Sequence, residues 1–328
     1  MLDPTRRTVL GLAAAATAAA AVAAVAPRAF GRAPAPASAG FAFLAVGDWG
    51  RDGTQHQKDV ADRMGEHAAA IGSRFTVSVG DNFYDIGVQT VHDAQWRTSF
   101  EDIYTAPSLR TPWYVALGNH DYRGAPQAQV DYSATSPRWR MPSRYFRQSF
   151  TAPDRQTIDL FVIDTSPMVK RYDSSKEHDA LQLNVESQDV PAQLRWLDGA
   201  LGASKADWKI VAGHHPVFSG GSGHGSTPEL IADVKPMLER HGVQLFLNGH
   251  DHDLQHIVVG PVTYVCTGAG SETRPVSRIA GMRFCSDRSG FTAYRLEGDR
   301  MRIAFVDYTG RVLHEAEVAR APAAVRVG

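Results

Sequence analysis

Short apolar runs alternate with segments of helical period along residues 40–328. Residues 41–46, 75–79, 113–117, 160–164, 209–212, 243–247 and 262–266 predict strands. Residues 54–71, 191–202 and 228–241 predict helices. The last opens on Ser226-Thr227-Pro228-Glu229, which supplies a cap, a proline in the first turn and an early acid, and it closes on His241-Gly242. After Ser289 the pattern changes to three apolar runs, 291–297, 301–308 and 312–318, separated by Gly298-Asp299 and Thr309-Gly310. That reads as an antiparallel meander with tight turns. The alternation predicts an α/β fold. One sheet does not easily absorb so many strands, so two packed sheets flanked by helices are expected. Residues 123–155 and 170–189 are polar and irregular and read as long loops near a site.

Polar motifs stand at or just past the ends of five of these runs. They are Gly47-Asp48-Trp49-Gly50, Gly80-Asp81-Asn82-Phe83-Tyr84, Gly118-Asn119-His120-Asp121, Val211-Ala212-Gly213-His214 and Gly249-His250-Asp251-His252. In open α/β sheets, ligands bind beyond the carboxyl ends of strands. The motifs offer Asp48, Asp81, Tyr84, Asn119, His214, His250 and His252 as donors, enough for two metal ions sharing one carboxylate. Oxygen and imidazole donors without thiolate point to iron, zinc or manganese rather than a structural zinc site. A phenol ionises near pH 10, so Tyr84 as a ligand calls for a strongly Lewis-acidic ion, preferably Fe(III). His250 and His252, two apart in an extended segment, face the same way and can serve adjacent ions. His120 is then placed toward substrate, with Asp121 orienting its ring.

Composition narrows the picture little. The chain has 328 residues, 43% hydrophobic and 21% charged, with a formal net charge of -1, so nothing global suggests a nucleic-acid partner. The first 39 residues stand apart. Arg6-Arg7 precedes an Ala-rich apolar run over residues 9–26, which reads as a twin-arginine (Tat) signal peptide, with Ala37-Ser38-Ala39 as the cleavage site. An uncleaved membrane anchor is the alternative. Cleavage leaves residues 40–328 as the mature domain, periplasmic or secreted, with no stable membrane association. Outside the cytoplasm Cys266 and Cys285 either form a disulfide or remain two thiols.

The five motifs in this order resemble the metallophosphoesterase superfamily, and Tyr84 narrows the resemblance to the purple acid phosphatases, nearest the small, mammalian-type, tartrate-resistant group. Residues 80–88, 136–145, 211–217, 250–255 and 267–270 carry it as well. The resemblance implies a four-layer α/β/β/α sandwich with two mixed sheets and a dinuclear metal site at the strand ends. It implies Fe(III) held by Asp48, Asp81, Tyr84 and His252, and a divalent ion (iron, zinc or manganese) held by Asp81, Asn119, His214 and His250, with Asp81 bridging. The implied activity is acid phosphatase: hydrolysis of small phosphate monoesters by a metal-bound hydroxide. His120 is then the candidate for transition-state stabilisation or leaving-group protonation. His224, in a Gly-rich segment, matches a histidine proposed for proton transfer. His215 stands where the mammalian-type enzymes carry tyrosine, and it either contacts substrate or neighbouring groups or only fills space. A phosphodiesterase or nucleotidase with the same centre, and a non-catalytic exported metal- or phosphate-binding protein, are the competing readings.

Overall fold

Every run expected as a strand is one, although most boundaries move. The structure is a computed structural model, which describes residues 40–172, 185 and 187–320. The strands are β1 Phe41–Val46, β2 Thr76–Ser78, β3 Trp113–Val115, β4 Trp139–Arg140, β5 Phe146–Thr151, β6 Thr157–Val162, β7 Trp208–Ala212, β8 Leu245–Asn248, β9 Leu254–Val259, β10 Val262–Thr267, β11 Met282–Ser286, β12 Gly290–Glu297, β13 Arg300–Asp307 and β14 Val312–Ala319. The α-helices are α1 Gln57–Ile71, α2 Pro126–Tyr132, α3 Val190–Ala203, α4 Pro228–Asp233 and α5 Lys235–Arg240. The strands form two seven-stranded sheets, ordered β14-β13-β12-β1-β2-β3-β4 and β11-β9-β10-β8-β7-β6-β5. Both are mixed. The parallel set β1–β4 joins the antiparallel meander through β12, and the parallel set β6, β7, β8 and β10 is flanked by antiparallel β5 and β9.

The period of two along the strands builds the layers. Leu160, Val162, Ile210, Ala212, Leu245 and Leu247 share one core with β1, β2 and β3 of the other sheet. The intervening Phe161, Val211 and Phe246 pack outward with Leu197 and Leu201 of α3, Leu230 of α4 and Leu238 of α5. On the other side Val60, Met64 and Ala68, one helical face of α1, join the core of the first sheet. The result is the four-layer sandwich of two mixed sheets flanked by helices. Strand β1, entirely apolar and entirely buried, is covered on both faces.

Four expectations are corrected. The helix expected over 228–241 breaks at Val234 into α4 and α5, because Pro236 lacks the N–H of a continuing turn and its ring excludes the carbonyl four residues back. The loop expected over 123–155 contains α2, β4 and β5. Strand β9, paired on both sides, was not among the expected strands. The disulfide reading fails on register. Gln255 of β9 pairs with Cys266 of β10 on one side and with Cys285 of β11 on the other, and both thiols are free. Two strand spacings separate the cysteines, about 10 Å, whereas a disulfide needs Cα atoms closer than about 7 Å. The signal-peptide expectation on residues 1–39 lies outside the described residues, as does most of the 170–189 loop. Among the described residues no helix is long and apolar enough to cross a membrane.

Candidate metal centre

The five motifs leave the carboxyl ends of β1, β2, β3, β7 and β8 and meet along the crest where the two sheets face each other. Backbone pairing locks the loops together. Asp48 N donates to Gly80 O (3.0 Å), Gly213 N to Leu247 O (3.0 Å) and Gly249 N to His214 O (3.0 Å). Asp48, Asp81 and His250 adopt φ of 59°, 50° and 71°. That left-handed conformation costs side-chain-bearing residues about 1 kcal/mol or more each and gathers at functional sites. Glycine is required beside them: a Cβ at Gly118 would collide with the Asp81 carboxylate, and one at Gly249 with that of Asp48.

The seven expected donors come together in two groups. In the first, the Tyr84 hydroxyl lies 3.1 Å from Asp48 Oδ1, 2.8 Å from Asp81 Oδ2 and 3.0 Å from His252 Nε2. A phenol has one hydrogen to give, so with both carboxylates ionised it can donate to only one of them; burial raises the Asp48 pKa well above the usual carboxylate value. In the second, His214 Nδ1 faces the carbonyl of Val79 at 3.0 Å and must carry its hydrogen there. Its Nε2 lies 3.2 Å from Asn119 Oδ1, 3.2 Å from His250 Nδ1 and 3.4 Å from Asp81 Oδ2, and against the cost of burial the Asp81 and Asp48 carboxylates raise the His214 pKa to about 9, so the site calls for a positive charge at Nε2. Carboxylate, amide and imidazole donors that converge in a buried site need positive charge among them, and a pair of metal ions would supply it, so the residues fit two ions that share Asp81. Asp48, Asp81 and His252 lie close enough together to hold one ion, and His214 and His250, with His215 beside them, form a second such group.

The surrounding residues divide differently from expectation. His120 lies with its ring centroid 4.3 Å from that of Tyr84, and its Nδ1 is 2.8 Å from the Asp85 carbonyl and 2.9 Å from Arg123 Nη1. Burial, with Arg123 alongside, holds its pKa below the usual histidine value against the pull of Asp81. Asp121 does not orient that ring. Its carboxylate accepts from Gly118 N (2.8 Å), Asn82 N (3.0 Å), Asn82 Nδ2 (3.1 Å) and Gln129 Nε2 (2.8 Å), which ties the β2 and β3 loops to α2. Burial, with Asp81 nearby, raises its pKa to about 7. His215 is engaged at both nitrogens, by Thr165 Oγ1 at 2.9 Å and Tyr172 Oη at 3.0 Å, so it neighbours the donors without a free nitrogen. His224 stacks on His250 with centroids 3.9 Å apart; burial, then Arg171 and Arg274, lower its pKa to about 4.

Arginines and a tyrosine absent from the sequence reading complete the site. Arg171 Nη2 lies 3.0 Å from His250 Nε2, Arg274 Nη1 3.4 Å from His224 Nε2, and the Arg51 guanidinium 3.9 Å over the Tyr84 ring. Tyr172 closes on His215. None sits in a motif of its own; each reaches the site only through the fold.

The calcineurin-like phosphoesterase family profile matches residues 41–254. Purple acid phosphatase 17 of Arabidopsis thaliana is 39% identical over 293 residues, which cover 86% of this chain and 85% of that one. Tartrate-resistant acid phosphatase type 5 of Homo sapiens is 34% identical over 306 residues, covering 87% and 92%. Two solved structures share the fold. GAP50, the anchor in the inner membrane complex of Plasmodium, superposes with a TM-score of 0.75 at 24% identity, covering 87% of this chain and 90% of that one. The purple acid phosphatase PPD1 of yellow lupin seeds superposes with 0.63 at 13% identity, covering 86% and 54%. The chain therefore belongs to the calcineurin-like phosphoesterase family and, within it, to the purple acid phosphatases, metal-dependent hydrolases of phosphate monoesters.

Proposed function

We propose that this acid phosphatase works with an Fe(III)–M(II) centre, in which Asp48, Asp81, Tyr84 and His252 hold the ferric ion. Asp81, Asn119, His214 and His250 hold the divalent ion, which is iron, zinc or manganese. The observation that carries this reading is the convergence of the Tyr84 hydroxyl with two carboxylates and an imidazole within 3.1 Å. A phenol in a ligand set favours the more acidic trivalent ion. When bound, the two ions would supply Lewis acidity toward the phosphoryl oxygens and toward water at acid pH.

The chain's own residues do the rest. Arg123 Nη1 can only donate, to Asp85 O (3.2 Å) and to Nδ1 of His120 (2.9 Å); in that arrangement the ring carries its proton on Nε2, where the departing alkoxide can take it. His224, stacked on His250, is a second proton-handling group on the other side of the centre. Arg171 and Arg274 bring positive charge toward the phosphoryl group. His215 holds Tyr172 against the second donor group.

Small phosphorylated molecules are the proposed substrates, and nucleic acid is not a proposed partner of a chain with net charge -1. Residues 1–39 are proposed to direct export of the folded, metal-loaded enzyme through the Tat route to the periplasm or beyond. Replacement of Arg6 and Arg7 by lysine should retain activity inside the cell; unchanged export would count against this route. Turnover of monoester and diester substrates, with Asp81→Ala as control, tests the catalytic reading. Monoesters should dominate and the variant should be inactive. A preference for diesters, or an active Asp81→Ala enzyme, would overturn it.

A further inference from the structure

The ring of Tyr84 carries a cation on its face. The Arg51 guanidinium carbon stands 3.9 Å over the ring centroid. Backbone bonds fix both partners: Tyr84 N donates to Gly50 O (2.8 Å), Arg51 N donates to Gln57 Oε1 (3.0 Å), and Arg51 O accepts from Thr54 N (2.9 Å). The guanidinium is anchored at its far end by Glu272 Oε2 (2.8 Å), with Asp85 Oδ1 at 3.5 Å. Its side chain is only 12% exposed, and its Nε is buried without a hydrogen-bond partner. A solvent-exposed ion pair needs no such burial. A cation laid on an aromatic face recovers part of that cost through the ring's quadrupole.

We propose that Arg51 is a positioning residue that sets the electron-donating strength of Tyr84 toward its metal ion; this rests on the reading that Tyr84 ligates Fe(III). The purple colour of such a centre comes from electron density moving from the phenolate ring to the ion. A fixed positive charge against the ring stabilises the donor orbital more than the ion beyond the hydroxyl, so the transition moves to higher energy. The same charge weakens donation by the phenolate and leaves the ion a stronger Lewis acid. Arg51 thus acts on the reaction through Tyr84 and needs no contact with substrate.

The experiment is the visible spectrum of the iron-loaded protein and of Arg51→Met, Arg51→Gln and Arg51→Lys. Loss of the charge in the Met and Gln variants should move the band to longer wavelength by about 10 nm or more, the scale set by a partly desolvated cation–π contact. The Lys variant, which keeps the charge, should move less. In the Met and Gln variants kcat for a small monoester should fall several-fold with KM little changed. An unshifted band in whichever neutral variant loads iron would overturn the proposal, as would an equal shift in all three. A wild-type protein with no visible band would instead overturn the ferric assignment, so the two failures are distinguishable.

Discussion

His214 hangs from the carbonyl of Val79, with Nδ1 3.0 Å from that oxygen. This bond reaches from β7 to the end of β2 and so joins the two sheets at the centre. It also leaves Nε2 as the nitrogen that would face an ion, as partners behind metal-bound histidines commonly do.

His214→Ala removes a donor from the second group and leaves Asp48, Tyr84 and His252 in place. The variant should lose the divalent ion, keep the ferric ion and lose activity by about 100-fold or more. Metal analysis beside a turnover assay checks this. Loss of both ions together would contradict the division into two donor groups.

Asp121 accepts four hydrogen bonds in the interior, none of them from the His120 ring. Asp121→Ala strands those donors and should cost about 3 kcal/mol of stability. A denaturant titration of the metal-loaded protein measures it. A variant of unchanged stability with a displaced pH–rate profile would return Asp121 to the role of ring orienter.

The two cysteines should both react with a thiol reagent in the denatured protein without prior reduction. The melting temperature should not respond to reductant, because the intervening strand β9 keeps the thiols apart.

How legible was this architecture? Strand β1 could be read directly, since six apolar residues in a row leave no amphipathic alternative. The seven donors were legible for a related reason: carboxylate, phenol, amide and imidazole side chains at strand ends are few and chemically distinct. Strand β5 was hidden, because Arg147, Gln148, Ser149 and Thr151 give an edge strand little apolar signal, and its pairing with β6 comes from tertiary context. One partner of Asp121 was hidden with it, since Gln129 lies on α2 in the stretch that read as loop. Arg51, Arg171 and Arg274 carry no local signature: what makes each one part of the site is a contact across tens of residues.

His256 of β9 lies 3.1 Å, Nδ1 to Nε2, from His314 of β14 and thereby ties the second sheet to the edge of the first. Burial, then His314 and Arg283, lower its pKa to about 4. A histidine that resists protonation when folded takes up fewer protons than the unfolded chain does between about pH 6.5 and 4. Its contribution is therefore fully present at neutral pH and lost as pH falls through that window. His256→Phe should lessen the fall in stability between pH 7 and pH 4.5 by about 1–2 kcal/mol. Parallel denaturant titrations at the two pH values check this, and an unchanged acid dependence would count against it.

Whether Tyr84 closes a ligand set around a ferric ion is decided by the visible absorption spectrum of the purified, metal-loaded protein. Ligation by Tyr84 should give a broad band in the visible that accompanies iron content and disappears in Tyr84→Phe. A colourless, iron-free protein with full phosphatase activity would contradict it.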